Sequence, residues 1–390
     1  MNVLYDHQIF TLQRYGGISR YFCELMDRFS QNPDIKFSIG LRASYNENLC
    51  NRHLLNPYWS NRSKLLSGTQ IIPYAQNTLH INFMKRLNYF NKPESVRLIK
   101  RQDFDIFHPT YYHHYFLEHL QGKPYVLTVH DMIHELYPDY FSSNDPAVQW
   151  KKELIDHASA IIAVSEKTKS DILKITNVDP DRITVIYHGN PFESANHLRE
   201  TQKLSSLPPV SEKSYLLFVG PRILYKNFIF FIESISGLLL QENDLHLCCA
   251  GGGAFTSEEK EMLRKLGICS KVHYIEPSEQ ILLQLYENAL AFVFPSRYEG
   301  FGLPILEAFS CGCPVISSNT GSLPEIGGNS VAYFNPDDMQ SITKAVENVL
   351  SDPGIQKYLI MKGYERLKDF SWRKTAAKTK RVYENVLNQT

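Results

Sequence analysis

An α/β protein of two Rossmann-like domains is predicted by three features of the sequence. Short apolar runs alternate with segments of helical spacing, the 390-residue length exceeds what one compact core serves, and a polar, proline-containing stretch separates two such series. Apolar strands alternating with helices at these intervals read as a parallel sheet covered on both faces.

The second series is the clearer one. Strands are predicted at Tyr215–Val219, Leu245–Ala250, Val272–Ile275, Ala291–Phe294, Val315–Ser317 and Val331–Phe334, with helices at 227–241, 257–267, 278–289, 304–311 and 338–351. In the first series the strands are 2–6, 36–42, 125–130, 160–164 and 183–187, and the helices 18–30, 147–157 and 167–175. Residues 44–100, rich in Asn, Tyr and Arg, show no clear period and receive no assignment. The run 205–212, Ser-Ser-Leu-Pro-Pro-Val-Ser-Glu, suits a linker. It sets the domains at 1–205 and 206–371, followed by a closing segment 372–390 with a helix over Trp372–Leu387.

Composition removes several function classes. Forty-one basic residues balance 41 acidic ones, so overall charge gives no reason to expect a nucleic-acid partner. Seven cysteines include no C-x-x-C pair, which suits reduced thiols in the cytoplasm. The first residues lack the basic and apolar regions of a signal peptide. The most apolar stretch, Phe228–Leu240, is interrupted by Glu233 and is shorter than the ~20 residues a spanning helix needs. The expected location is cytoplasmic, with peripheral contact at the inner face of a membrane left open.

The strongest chemical signal runs from Pro295 to Glu307, Pro-Ser-Arg-Tyr-Glu-Gly-Phe-Gly-Leu-Pro-Ile-Leu-Glu. A strand ends, a glycine-rich loop follows, and Pro304 stands where a helix begins. The amides of Phe301, Gly302 and Leu303 are then available to an anion, and Gly300 and Gly302 leave room for close approach. Glu307, one turn inside the helix, suits a ribose diol, while Glu299 ahead of the loop suits sugar hydroxyls. A plain strand-to-helix turn with carboxylates on the helix dipole is the alternative.

Glu299 and Glu307 with Gly-Phe-Gly-Leu-Pro between them resemble the E-x7-E signature of retaining GT-B glycosyltransferases, especially glycosyltransferase family 4. The resemblance covers nearly the whole chain. It implies two Rossmann-like domains facing a central cleft, the first binding the acceptor and the second the nucleotide sugar, with the final helix crossing back to the first. In Phe218-Val-Gly-Pro-Arg-Ile-Leu-Tyr-Lys-Asn227, Lys226 stands at the family's distance after Gly220 and is implied to grip the diphosphate. Arg222, given the same role, stands one position later than the family's usual arginine. Two cations there do what magnesium does elsewhere, so no metal or other cofactor is expected. Tyr15-Gly-Gly-Ile-Ser-Arg-Tyr21 looks like the family's N-terminal glycine loop, with Gly16 and Gly17 opening a helix near the diphosphate and acceptor. Thr128-Val-His-Asp131 ends a strand, and the resemblance sets His130 beside the donor hexose.

Other patterns are set aside. Asp103-Phe-Asp105 matches a metal-binding D-x-D but precedes the apolar Ile106-Phe107, and is read as structural. The histidines 108, 113, 114, 130 and 134 lack a shared helical face for zinc, and Ala250-Gly-Gly-Gly253 lacks dinucleotide-loop spacing. The basic run Lys85–Arg101, interleaved with Leu87, Tyr89 and Phe90, suits either a solvated helix face or contact with anionic lipid or a lipid-linked acceptor. The function expected is retaining hexosyl transfer from a nucleotide-diphosphate sugar to a saccharide or lipid-linked saccharide in glycan synthesis. UDP-glucose ranks ahead of GDP-mannose as donor. A nucleotide-sugar epimerase or hydrolase, or a non-catalytic sugar-nucleotide binding protein, is the alternative.

Overall fold

The computed structural model describes residues 1–50, 78–142, 145–193 and 214–389, with side chains of 50 and 78–85 outside the description. Two compact units result, one of Met1–Gly189 with Trp372–Thr390 and the other of Asn190–Ser371. The 205/206 boundary drawn from the proline-containing stretch lies outside the described residues.

In the first unit, β1 (Asn2–Tyr5), β2 (Lys36–Ile39) and β3 (Ile106–His108) form a parallel sheet in the order β2-β1-β3. A second parallel sheet holds β4 (Val126–Val129), β5 (Ala160–Ala163) and β6 (Ile183–Val185). A parallel bridge from Phe107 to Tyr125 links the two. Side chains alternate across β1 as strand geometry requires. Val3 and Tyr5 join a core under the helices Gly17–Ser30 and Trp372–Gln389, while Leu4 joins the opposite core with Phe107, Leu154 and Ile155. The closing helix belongs to this unit by hydrogen bonds as well as packing. Tyr383 hydroxyl lies 2.6 Å from His108 Nδ1 and 3.2 Å from Tyr5 hydroxyl.

In the second unit six parallel strands take the order β12-β11-β10-β7-β8-β9. They are β7 (Ser214–Val219), β8 (Leu245–Ala250), β9 (Val272–Ile275), β10 (Ala291–Phe294), β11 (Val315–Ser318) and β12 (Val331–Phe334). The chain reverses its direction of growth between β7 and β10, so the loops leaving the carboxyl ends of these two strands flank a switch point, where open α/β sheets bind ligands. The α/β class with parallel sheets predicted from the apolar runs is the one observed.

Two long helices were not expected. Thr78–Arg101 runs for 24 residues with Pro93 inside it, in the segment without a readable period. Pro353–Leu367 buries only Leu359 and Gly363, so its sequence carries little apolar stripe; Asp352 caps it by accepting from the Gly354 and Ile355 amides. Among the described residues no helix is long and apolar enough to cross a membrane.

Candidate active site

The loop leaving β10 is held by side chains that sequence spacing did not reveal. Ser322 hydroxyl donates to the carbonyls of Glu299 and Phe301, at 2.9 and 2.8 Å. Gly302 caps the helix Leu303–Ser310 at φ 108°, and a Cβ there would meet Leu323 Cδ2 at 2.8 Å. Glycine at 302 is thus demanded by backbone conformation and by Leu323. Phe301 turns inward against Phe370. Among the described residues the amides of Gly302 and Leu303 have no acceptor, and they open the positive end of a helix.

The loop after β7 meets this one. Lys226 Nζ lies 2.6 Å from Glu299 Oε1, with both side chains largely enclosed. Arg297 N–H donates to the Tyr225 carbonyl at 2.8 Å, which ties the two loops through the backbone. Asn227 takes the left-handed conformation at φ 59° and anchors on the Pro336 carbonyl at 2.8 Å.

Arg222, expected on the diphosphate, makes internal contacts in this structure. Its Nε donates to Glu259 Oε1 at 2.7 Å, and its terminal nitrogens donate to the carbonyls of Gly251, Gly253 and Ala254 and to Glu259 Oε2. The guanidinium also lies over the Phe255 ring, and the side chain is 3% exposed. Each nitrogen of the guanidinium group therefore has at least one internal acceptor. Pro221 follows Gly220 directly, and Gly252 packs so tightly on Gly220 and Pro221 that a Cβ would meet them at 2.9 Å. Arg222 thus clamps the glycine turn after β8.

Glu307 is buried, and Tyr286 hydroxyl donates to its Oε2 at 3.0 Å. Burial, reinforced by the Glu307 charge, pushes the Tyr286 hydroxyl well above its ordinary pKa, so it stays a neutral donor. Tyr286 was not singled out in the sequence, because the contact joins two helices across 21 positions.

In the first unit His130 follows β4 and is buried. Its backbone N–H donates to Tyr112 hydroxyl at 2.8 Å, its ring lies near Tyr21 and His188, and its Nε2 is enclosed with no hydrogen-bond partner among the described residues. Burial, then the neighbouring His108 and Lys151, push its pKa down to about 3. At neutral pH the imidazole is uncharged. Gly16 caps the helix Gly17–Ser30, but Gln13 Oε1 already accepts from the Ser19 amide at 3.3 Å. A Cβ at Gly16 would strike the Gln13 side chain, which explains that glycine locally. Asp103 and Asp105 serve separate partners: Asp103 pairs with Arg101 at 2.7 Å, and Asp105 accepts from the Asn2 amide at 2.7 Å. His134 stacks on Phe141 and His114 pairs with Glu153.

Comparison with known proteins fits this arrangement. The family model Glycosyltransferase Family 4 matches residues 47–191, and Glycosyl transferases group 1 matches residues 200–366. An uncharacterized glycosyltransferase of Methanocaldococcus jannaschii is 30% identical over 280 residues, covering 69% of this chain and 71% of that protein. The O-antigen chain mannosyltransferase B of Escherichia coli is 30% identical over 273 residues, covering 66% and 70%. Sucrose-phosphate synthase from Thermosynechococcus elongatus shares the fold across 100% of both chains, with a TM-score of 0.69 at 16% identity. With these matches spanning both units and the GT-B fold in place, the chain belongs to glycosyltransferase family 4 and is a glycosyltransferase.

Proposed function

We propose that the chain transfers a hexosyl group, with retention of configuration and without a metal ion, from a nucleoside-diphosphate sugar to a hydroxyl of a saccharide or lipid-linked saccharide. The observation that carries this reading is the Lys226–Glu299 pair beside the helix-opening amides of Gly302 and Leu303, which have no acceptor among the described residues, at the switch point of the six-stranded sheet. An ammonium and helix-end amides suit the charge that grows on a departing diphosphate, and such contacts act more strongly in the transition state than in the ground state. Glu307, steadied by Tyr286, is assigned to the ribose, and Glu299 to the hexose hydroxyls. Arg222 acts through the glycine turn that it clamps. On the first unit, His130 is assigned to the hexose, and its unpartnered Nε2 supports that assignment.

The relative named a mannosyltransferase moves mannose ahead of glucose as the hexose, so GDP-mannose is proposed before UDP-glucose. For the acceptor, Arg86, Lys92 and Lys100 are exposed along the helix Thr78–Arg101 beside Tyr89 and Phe90, at 78% and 56% exposure. Cations interleaved with exposed aromatics favour an anionic lipid surface or a lipid-linked acceptor. Lys85 falls outside the described side chains.

The test is incubation with each donor in excess EDTA, following nucleoside-diphosphate release and the anomeric configuration of the product. Turnover with GDP-mannose and an α-linked product are expected. Loss of activity in EDTA with rescue by manganese would overturn metal independence, and an inverted product would overturn retention. Release of free sugar alone would favour the hydrolase alternative.

A further inference from the structure

Lys151, on the helix Ala147–His157, is fully enclosed at 0% exposure. A buried ammonium is tolerated only when its donors are satisfied. Its Nζ donates to the Asp131 carbonyl at 3.1 Å and to Glu135 Oε2 at 3.1 Å. The same Nζ lies 4.9 Å from the centre of the Tyr112 ring. Asp131 Oδ1 stands 3.7 Å away. The hydroxyl of that same Tyr112 accepts the backbone N–H of His130 at 2.8 Å.

These contacts bracket one residue. On one side of His130, Lys151 holds the next carbonyl directly. On the other it underlies the phenol that holds the His130 amide. Buried ion pairs are seldom worth more to stability than apolar side chains of similar volume, so a lysine here calls for another use. An apolar chain would fill the space, but it would release the Asp131 carbonyl and leave the Tyr112 ring without its cation. The groups facing the ammonium are Asp131, Glu135 and Tyr112, and beyond them His134, whose Nε2 is 3.9 Å from Asp145. The positive charge also helps to hold the His130 imidazole neutral.

We propose that Lys151 is a positioning residue for His130, fixing through Tyr112 and the Asp131 carbonyl the place at which His130 Nε2 is presented to the donor. The proposal rests on the reading of His130 as a hexose contact.

The test compares Lys151→Met, Tyr112→Phe and His130→Ala, and the double variant Lys151→Met/His130→Ala, in the full chain. Turnover with the donor is measured beside calorimetric binding of the free nucleoside diphosphate. A misplacement of about 1 Å costs on the order of 100-fold in rate. Lys151→Met is therefore expected to lower kcat about 10- to 100-fold and Tyr112→Phe about tenfold, with nucleoside-diphosphate binding unchanged. The double variant should be no slower than His130→Ala alone, because the two act as one unit. If Lys151→Met does not fold, Tyr112→Phe and its double with His130→Ala decide the matter. A slow His130→Ala beside normal Lys151→Met and Tyr112→Phe overturns the proposal alone, as do losses that multiply in the double variant. Normal turnover in His130→Ala overturns the reading of His130 and the proposal with it.

Discussion

Lys226 and Glu299 form an ion pair of 2.6 Å that joins the loop after β7 to the loop after β10. Each group is neutralised by the other before any ligand arrives. A diphosphate entering beside Lys226 would compete for the ammonium and release the Glu299 carboxylate toward hydroxyl groups.

Lys226→Ala should lower kcat more than donor affinity, by on the order of 3 kcal/mol in the barrier, as for loss of one preorganised contact to developing charge. Steady-state rates against a panel of donor concentrations separate the two. Near-normal kcat would remove the ammonium from the leaving group.

Arg222→Ala should act first on stability. It leaves Glu259 enclosed without its cation and strips three carbonyls of their donor, a change that costs about 3–5 kcal/mol for a buried pair. Denaturant unfolding measures it. Arg222→Ala combined with Glu259→Gln should recover part of the loss, and a fully stable Arg222→Ala would mean that the clamp is dispensable.

Glu307→Ala should weaken binding of the free nucleoside diphosphate by about 1.5–3 kcal/mol, the range for hydrogen bonds to charged groups. Glu299→Ala should spare that binding and slow transfer. Tyr286→Phe removes the hydroxyl that steadies Glu307 and should cost about 1 kcal/mol in the same titration. Equal losses from Glu299→Ala and Glu307→Ala would collapse the distinction between hexose and ribose contacts.

The parts of this site legible in the sequence are those set by neighbours along the chain. The loop from Glu299 to Glu307 could be read because strand end, glycines and Pro304 lie in one short run. Lys226 could be read from its distance after Gly220. The internal contacts of Arg222 could not, because their acceptors lie on the turn after β8. Tyr286 and Ser322 reach the loop from other elements, so no local spacing announces them. Lys151 looks like a solvated charge in a polar helix segment, and only the tertiary fold reveals that it is enclosed. The helix Thr78–Arg101 was hidden by Pro93 and by aromatic and basic residues that blur its period.

Acid should destabilise the first unit through its enclosed imidazoles. Burial pushes His108 and His130 down to about 3, and His188 is also lowered by burial. In the unfolded chain these groups titrate near 6.5. Between those values the unfolded state binds more protons, so stability is complete above about pH 6.5 and falls as pH drops toward 3. The loss should be about 1 kcal/mol per histidine between pH 6 and 5. Unfolding monitored across that range checks it, and His108→Gln should flatten the slope. An unchanged slope would mean that His108 does not titrate between the two states.

The packing of Trp372–Gln389 into the first unit sets an order of events during synthesis. A ribosome releases residues 1–189 long before Trp372 and Tyr383 exist. Until they emerge, Tyr5 and His108 lack their hydroxyl partner and the apolar face of Gly17–Ser30 lacks its cover. The segment 190–371 has its whole core available earlier and can close first. The half of the enzyme made first is thus the half finished last, and for that interval its aromatic face is left for chaperones to shield.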